Sequence, residues 1–141
     1  MFLRNQGVTH VLNVGDGTSV VSTETHGFRE VRDCQVVDLQ RIRDDVALTA
    51  IDSLHAMLTT KDSRVFVHCV AGQNRSPTIL WLYFLACGLS SADAKDLITS
   101  RSPDAVPGHK ALVDARLVEL VRLHGAKNYL PLTDPSVLQP V

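Results

Sequence analysis

In the stretch His68-Cys69-Val70-Ala71-Gly72-Gln73-Asn74-Arg75-Ser76, a cysteine and an arginine enclose five residues with a glycine among them. An apolar run, Arg64-Val65-Phe66-Val67, leads in, and a long apolar stretch opened by Ser76-Pro77-Thr78 leads out. A loop between a strand and the N-terminus of a helix can turn successive backbone N–H groups inward, and the helix dipole reinforces them as an anion cradle. A doubly charged phosphate suits that cradle, with the Cys69 sulfur as nucleophile at its floor. A free thiol with pKa near ~8.5 is only a few per cent thiolate at neutral pH. Lowering it by ~3 units takes about 4 kcal/mol of differential stabilisation. Amides from Val70 to Arg75 and the planar Arg75 guanidinium, which grips two phosphate oxygens at once, can supply it. Val70, Ala71, Gly72, Gln73 and Asn74 are therefore read as the substrate-binding loop. Gly72 permits a turn that a Cβ would hinder and leaves amides open to the ligand. The Ser76 hydroxyl is placed to donate toward the sulfur and ease its departure. His68 is read as a buried organiser of the loop rather than a proton carrier.

The elements that must position this loop are legible on either side. Val8 to Val14 reads as a strand closed by Gly15-Asp16-Gly17. A second strand lies within Val31 to Leu39, best placed at Cys34-Gln35-Val36-Val37, with Asp38 at its C-terminal edge. Asp44 and Asp45 precede a helical pattern of Val46, Ala50, Ile51, Leu54, Met57 and Leu58, and either can cap it. Val65 to Val67 is a short buried strand. Ser76 to Ala86 is apolar on nearly every side, as in a helix central to its domain, and Gly88 stops it. Ser90 to Asp93 offers a capping box for a helix ending near Arg101. A last helix is expected over Gly108 to His124, closed by Gly125. The pattern predicts an α/β fold: a small, mostly parallel central sheet flanked by helices. It also predicts one domain over 1–126 and an irregular tail over 127–141.

Composition bounds the rest. A chain of 141 residues, 45% hydrophobic and 21% charged, builds a single core. Lys plus Arg number 14 against 15 Asp plus Glu, so binding of nucleic acid by bulk charge is not expected. The three cysteines, Cys34, Cys69 and Cys87, form no metal-binding spacing and their odd number disfavours a disulfide scaffold. The N-terminus lacks the apolar core of a signal peptide, and Ile79 to Cys87 falls far short of the ~20 residues that span a bilayer. The expectation is a cytoplasmic protein with no membrane contact, and neither the cysteines nor the histidines show the spacing of a metal site.

His68-Cys69-x-x-Gly72-x-x-Arg75-Ser76 resembles the phosphate-binding loop of the cysteine-based protein tyrosine phosphatases, within them the dual-specificity group. The likeness extends to Gly7 through Val14, which is similar to that family's opening strand, to Arg75-Ser76-Pro77-Thr78 at the entry to its central helix, and to Arg101-Ser102-Pro103 with Pro107. It covers roughly residues 7 to 124. The resemblance implies attack on phosphorus by the Cys69 thiolate, a cysteinyl-phosphate intermediate, and Arg75 with the loop amides on the equatorial oxygens. It also implies a general acid, an aspartate on a loop after a strand. Asp38, directly after Val36-Val37, fits that place; the Asp44-Asp45 pair, or no dedicated acid, are the alternatives. Compared with such domains the expected N-terminus is shortened ahead of Val8: either the sheet is smaller, or its exposed edge pairs with a second copy, or the natural start lies further upstream. Asn74 stands where small serines are frequent, and Val106 to Leu112 departs from the common pattern.

The uncharged Val70, Ala71, Gln73 and Asn74 lower the expectation of inositol lipids, whose phosphatases often carry lysines there. Phosphotyrosine or phosphoserine/threonine in proteins is the leading substrate class. The alternatives are an inositol phosphate, an RNA 5′-phosphate or a glycan, or a non-catalytic module that docks phosphoproteins. Arg101 could meet a second substrate phosphate, and Arg41 and Arg43 read as a solvated loop beside Asp38. Cys34 and Cys87 read as core or near-core residues, with the trapping of an oxidised Cys69 as the alternative.

Overall fold

Among the described residues three parallel strands form the sheet: β1 (His10–Asn13), β2 (Glu30–Asp33) and β3 (Val65–His68), in the order β2-β1-β3. The computed structural model describes residues 7–15, 27–69 and 73–129. Four helices complete this part: α1 (Asp44–Leu58), α2 (Arg75–Ala86), α3 (Ser91–Thr99) and α4 (Ala115–Asn128). The α/β class with a small parallel sheet is as expected from the sequence.

Alternation along the strands divides the core. Leu12, Val14, Val65 and Val67 join the main cluster with residues of all four helices. Val8, Val11 and Phe28, with Val31 and Phe66 against them, form a smaller cluster on the opposite face. Helix α2 is buried along its whole length and touches each of the other three helices. That is why it has no polar face to show in the sequence. Gly125 of α4 lies so close to α2 that a Cβ there would sit 1.8 Å from the Ala86 carbonyl oxygen.

Several boundaries differ from expectation. Strand β2 lies upstream of Cys34-Gln35-Val36-Val37, because Glu30 to Asp33 pairs in register with His10 to Asn13. Among the described residues it is an edge strand, half exposed and with three of its four residues charged, so it carries no apolar run to detect. The Cys34–Val37 segment is not part of a strand, yet Cys34 N–H donates to Asn13 at 2.8 Å and Val36 N–H to Val14 at 3.0 Å. The last helix starts at Ala115 rather than Gly108: Gly108 has φ 68° and Asp114 caps the helix, accepting from the Leu117 N–H at 2.8 Å. Gly125 does not end α4 but lets it pack on α2. The tail accordingly does not begin at Lys127, since α4 continues to Asn128 and Tyr129 is buried. Residues 130–141 lie outside the described residues. Among the described residues no helix is long and apolar enough to cross a membrane.

Candidate active site

In a parallel sheet, ligands bind beyond the C-terminal ends of the strands. Here Asp33, Asn13 and His68 stand in register as the last residues of the three strands. Asn13, which the sequence reading did not single out, donates from Nδ2 to Asp33 Oδ1 at 3.0 Å and accepts from the Gly15 N–H at 2.9 Å. It ties the strand ends together just below the loops that carry the candidate chemistry. His68 is half-buried, not fully so, and its ring stacks on Phe66 at 5.4 Å. Burial holds the His68 imidazole below its usual pKa, with Asp33 pulling weakly the other way. It is neutral at physiological pH, which suits a spacer better than an acid.

Cys69 follows β3 directly, and its Sγ turns to the start of α2. The Ser76 N–H donates to it at 3.5 Å, and the Ser76 Oγ lies 3.5 Å away. First-turn N–H groups have no partner within their own helix. Placing one on a sulfur favours the thiolate, as does the positive end of the helix dipole. Arg75, one residue earlier, is buried at 5% exposure and donates from Nη1 to the Val36 carbonyl at 3.1 Å. The loop's arginine thus touches the backbone just ahead of Asp38. Gln73 is exposed, and Asn74 occupies the N-cap position of α2 without a side-chain capping bond. Val70, Ala71 and Gly72 lie outside the described residues.

Asp38 is partly exposed on a short span between two anchored points, and its Oδ1 accepts from the Leu39 N–H at 3.0 Å. Leu39 has φ 58°, a left-handed conformation that disfavours a branched side chain. Asp44 and Asp45 stand inside the first turn of α1, behind an Arg43 N-cap that makes no side-chain capping bond. Each is instead in an ion pair: Asp44 with Arg41 at 2.5 Å, Asp45 with Arg43 at 3.0 Å. Arg41 is therefore not merely a solvated side chain, since it also holds Asp114. No sequence signal links positions so far apart. Arg101 is exposed in the turn after α3. Cys34 and Cys87 are free thiols, both pushed up in pKa by burial.

The loop is braced from its far side as well. Val106 N–H donates to the Gln73 carbonyl at 2.7 Å, and Thr78 Oγ1 lies 3.4 Å from both the Val106 carbonyl and the His109 N–H. Gly108 fits beneath Trp81, where a Cβ would be 3.0 Å from the indole ring.

The chain matches the family described as dual specificity phosphatase, catalytic domain, over residues 1–115, and it belongs to that family. Among solved structures, human DUSP28 aligns with TM-score 0.67 at 21% identity, over 90% of this chain and 86% of that one. A mouse putative dual specificity phosphatase complexed with zinc tungstate gives 0.68 at 21%, over 92% and 79%. PTPMT1 in complex with PI(5)P gives 0.69 at 18%, over 89% and 84%. At such identities the likeness is one of fold. Family membership makes the chain a phosphatase, a hydrolase of the cysteine-based class.

Proposed function

We propose that this phosphatase hydrolyses phosphate monoesters of proteins through a cysteinyl-phosphate intermediate, as one catalytic domain working in a reducing cytoplasm. The observation that carries the reading is the Cys69 sulfur held at the first turn of α2 by Ser76, next to the buried Arg75. The thiolate attacks phosphorus in line while Arg75 and the loop amides hold the equatorial oxygens. The P–O bond to the leaving group breaks, and Asp38 gives that oxygen a proton. Water then attacks the phosphocysteine, its proton passes to the Asp38 carboxylate, and the P–S bond breaks. The Ser76 hydroxyl, donating to the departing sulfur, stabilises the thiolate as it forms.

The mouth favours an organic group with apolar parts. Val37, Leu39 and Val106 are exposed at 51%, 62% and 44%. They sit on segments bonded to the loop through Arg75 and Gln73, and Gln73 and Asn74 carry no charge. Within the loop itself, Val70 to Asn74 offer the further phosphates of an inositol headgroup no cation. The test is hydrolysis of phosphotyrosine and phosphoserine peptides beside short-chain phosphatidylinositol monophosphates and a 5′-phosphorylated RNA. Peptides are expected to give the highest kcat/KM, and Cys69→Ser to lose at least about 10³-fold with every substrate. A preference for the lipid would reassign the substrate. Binding without turnover by the wild type would leave a phosphate-docking module.

A further inference from the structure

Arg41 makes more contacts than a loop arginine needs. Its Nε and Nη2 meet the two Asp114 carboxylate oxygens at 3.1 and 3.2 Å, and its Nη1 meets Asp44 Oδ1 at 2.5 Å and the Ile42 carbonyl at 2.8 Å. Beside it, the Ile42 N–H donates to the Leu112 carbonyl at 2.8 Å. The Asp38 loop is therefore held at Val36 by Val14 and Arg75, and is caught again at Arg41 and Ile42 by the 112–114 turn. That turn follows the Val106 segment, which is bonded to Gln73. The bonds close a ring: phosphate loop, 105–114 segment, Arg41, Asp38 loop, Val36, and back through Arg75.

We infer that Arg41 is a positioning residue for the general acid, closing this ring through Asp114 so that the Asp38 span is held against the phosphate loop. The inference rests on the proposed role of Asp38. Stability alone does not account for the arrangement. The pair is part-exposed, 35% and 49% at the two side chains, and such surface pairs contribute little to folding. Its geometry nevertheless fixes a plane: a bidentate fork cannot swing as a single contact can. Arg41 also holds the Asp114 carboxyl below the usual carboxylate range, joined by the Leu117 N–H, so the pair stays ionised through neutral pH.

The test compares wild type, Arg41→Ala, Arg41→Lys, Asp114→Asn, Asp38→Asn and the Arg41→Ala/Asp38→Asn double variant. Each is assayed on phenyl phosphate, a poor leaving group, and on an activated fluorinated aryl phosphate. A displaced acid matters where the leaving oxygen needs a proton. Arg41→Ala should therefore lose about 10- to 100-fold in kcat on phenyl phosphate, with KM and the thermal midpoint nearly unchanged. On the activated ester the loss should be under about threefold. Arg41→Lys keeps the charge without the fork and should fall between. Asp114→Asn retains a capping oxygen for α4 and should follow Arg41→Ala. The double variant should be no slower than Asp38→Asn. Equal losses on both esters, or additive losses in the double variant, would overturn the positioning role while Asp38 keeps its own. An Asp38→Asn variant that responds alike to both leaving groups would overturn both assignments.

Discussion

The Arg75 guanidinium is bonded to the carbonyl oxygen of Val36 at 3.1 Å, two residues before Asp38. The cation read as the phosphate clamp and the backbone that carries the candidate acid are thus in direct contact. Arg75 is also the first residue of α2, whose next N–H reaches the Cys69 sulfur. One side chain therefore bridges the two loops that the proposed chemistry needs together.

Arg75→Lys follows directly. An ammonium keeps the charge, but it is a point donor and cannot serve Val36 and two phosphate oxygens in one plane. Turnover of an aryl phosphate is expected to fall at least about 100-fold, with a smaller loss in urea midpoint than Arg75→Ala shows. Steady-state kinetics paired with unfolding curves check it. Turnover within a few-fold of wild type would show that charge alone suffices.

The three thiols should differ sharply in reactivity. Cys34 lies 3.9 Å from the Val46 carbonyl, and burial raises its pKa. Cys87 is 2% exposed and is also raised by burial, with Tyr83 opposing. Cys69 alone of the three accepts a first-turn helix N–H, that of Ser76 at 3.5 Å. Iodoacetate at pH 6.5 should label Cys69 at least about tenfold faster than the other two, and inorganic phosphate should protect it. Peptide mapping by mass spectrometry reads the sites. Comparable labelling of Cys34 or Cys87 would contradict the assignment of Cys69 as the activated thiol.

The candidate loop was legible because its chemistry is local. Cys69, Arg75 and Ser76 are neighbours in sequence, and the apolar runs on both sides fix a strand before and a helix after. The place of α2 was legible too, because a helix with no polar face has nowhere to go but the centre. Strand β2 is not legible, since Glu30 and Arg32 mask a strand whose pairing is set by backbone register with β1. Gly125 reads as a stop because glycine usually is one, whereas it marks a close helix crossing. The Arg41–Asp114 pair was invisible, as nothing local marks which surface charges meet across a fold.

Gly125 gives a prediction opposite in sign to helix propensity. In an exposed helix interior, alanine is preferred to glycine by about 1 kcal/mol. Here the added Cβ would lie 1.8 Å from the Ala86 carbonyl oxygen and 2.4 Å from its carbon, and α2 is packed on all sides. Gly125→Ala should lose about 2–3 kcal/mol or more by urea unfolding. The exposed neighbour Ala126→Gly should lose about 1. A neutral or stabilising Gly125→Ala would mean that the helices stand farther apart.

Acid sensitivity should set in well above the carboxylate range, because three histidines are held neutral by the fold. Burial lowers the pKa of His10, His55 and His68. The first is 2.6 Å from Thr9 Oγ1; the second is 2.9 Å from the Tyr83 hydroxyl and stacks on Tyr129 at 4.0 Å. In the unfolded chain each titrates near ~6.5. Below that pH the unfolded state binds protons that the folded state refuses, so stability is complete above ~7 and declines as pH falls through 6.5 toward the folded values. Asp52 acts later. Burial would raise its pKa, but hydrogen bonds from Tyr129 and His124 outweigh that and lower it, so its contribution fades only below ~4. The urea midpoint is therefore expected to drop measurably between pH 7.5 and 5.5. His55→Phe keeps a ring against Tyr129 while removing one titrating group, and it should make that drop shallower even if it lowers the midpoint at pH 7.5. A midpoint that stays level across this interval would show that the imidazoles protonate in the folded chain as readily as in the open one, and that their burial confers no linkage.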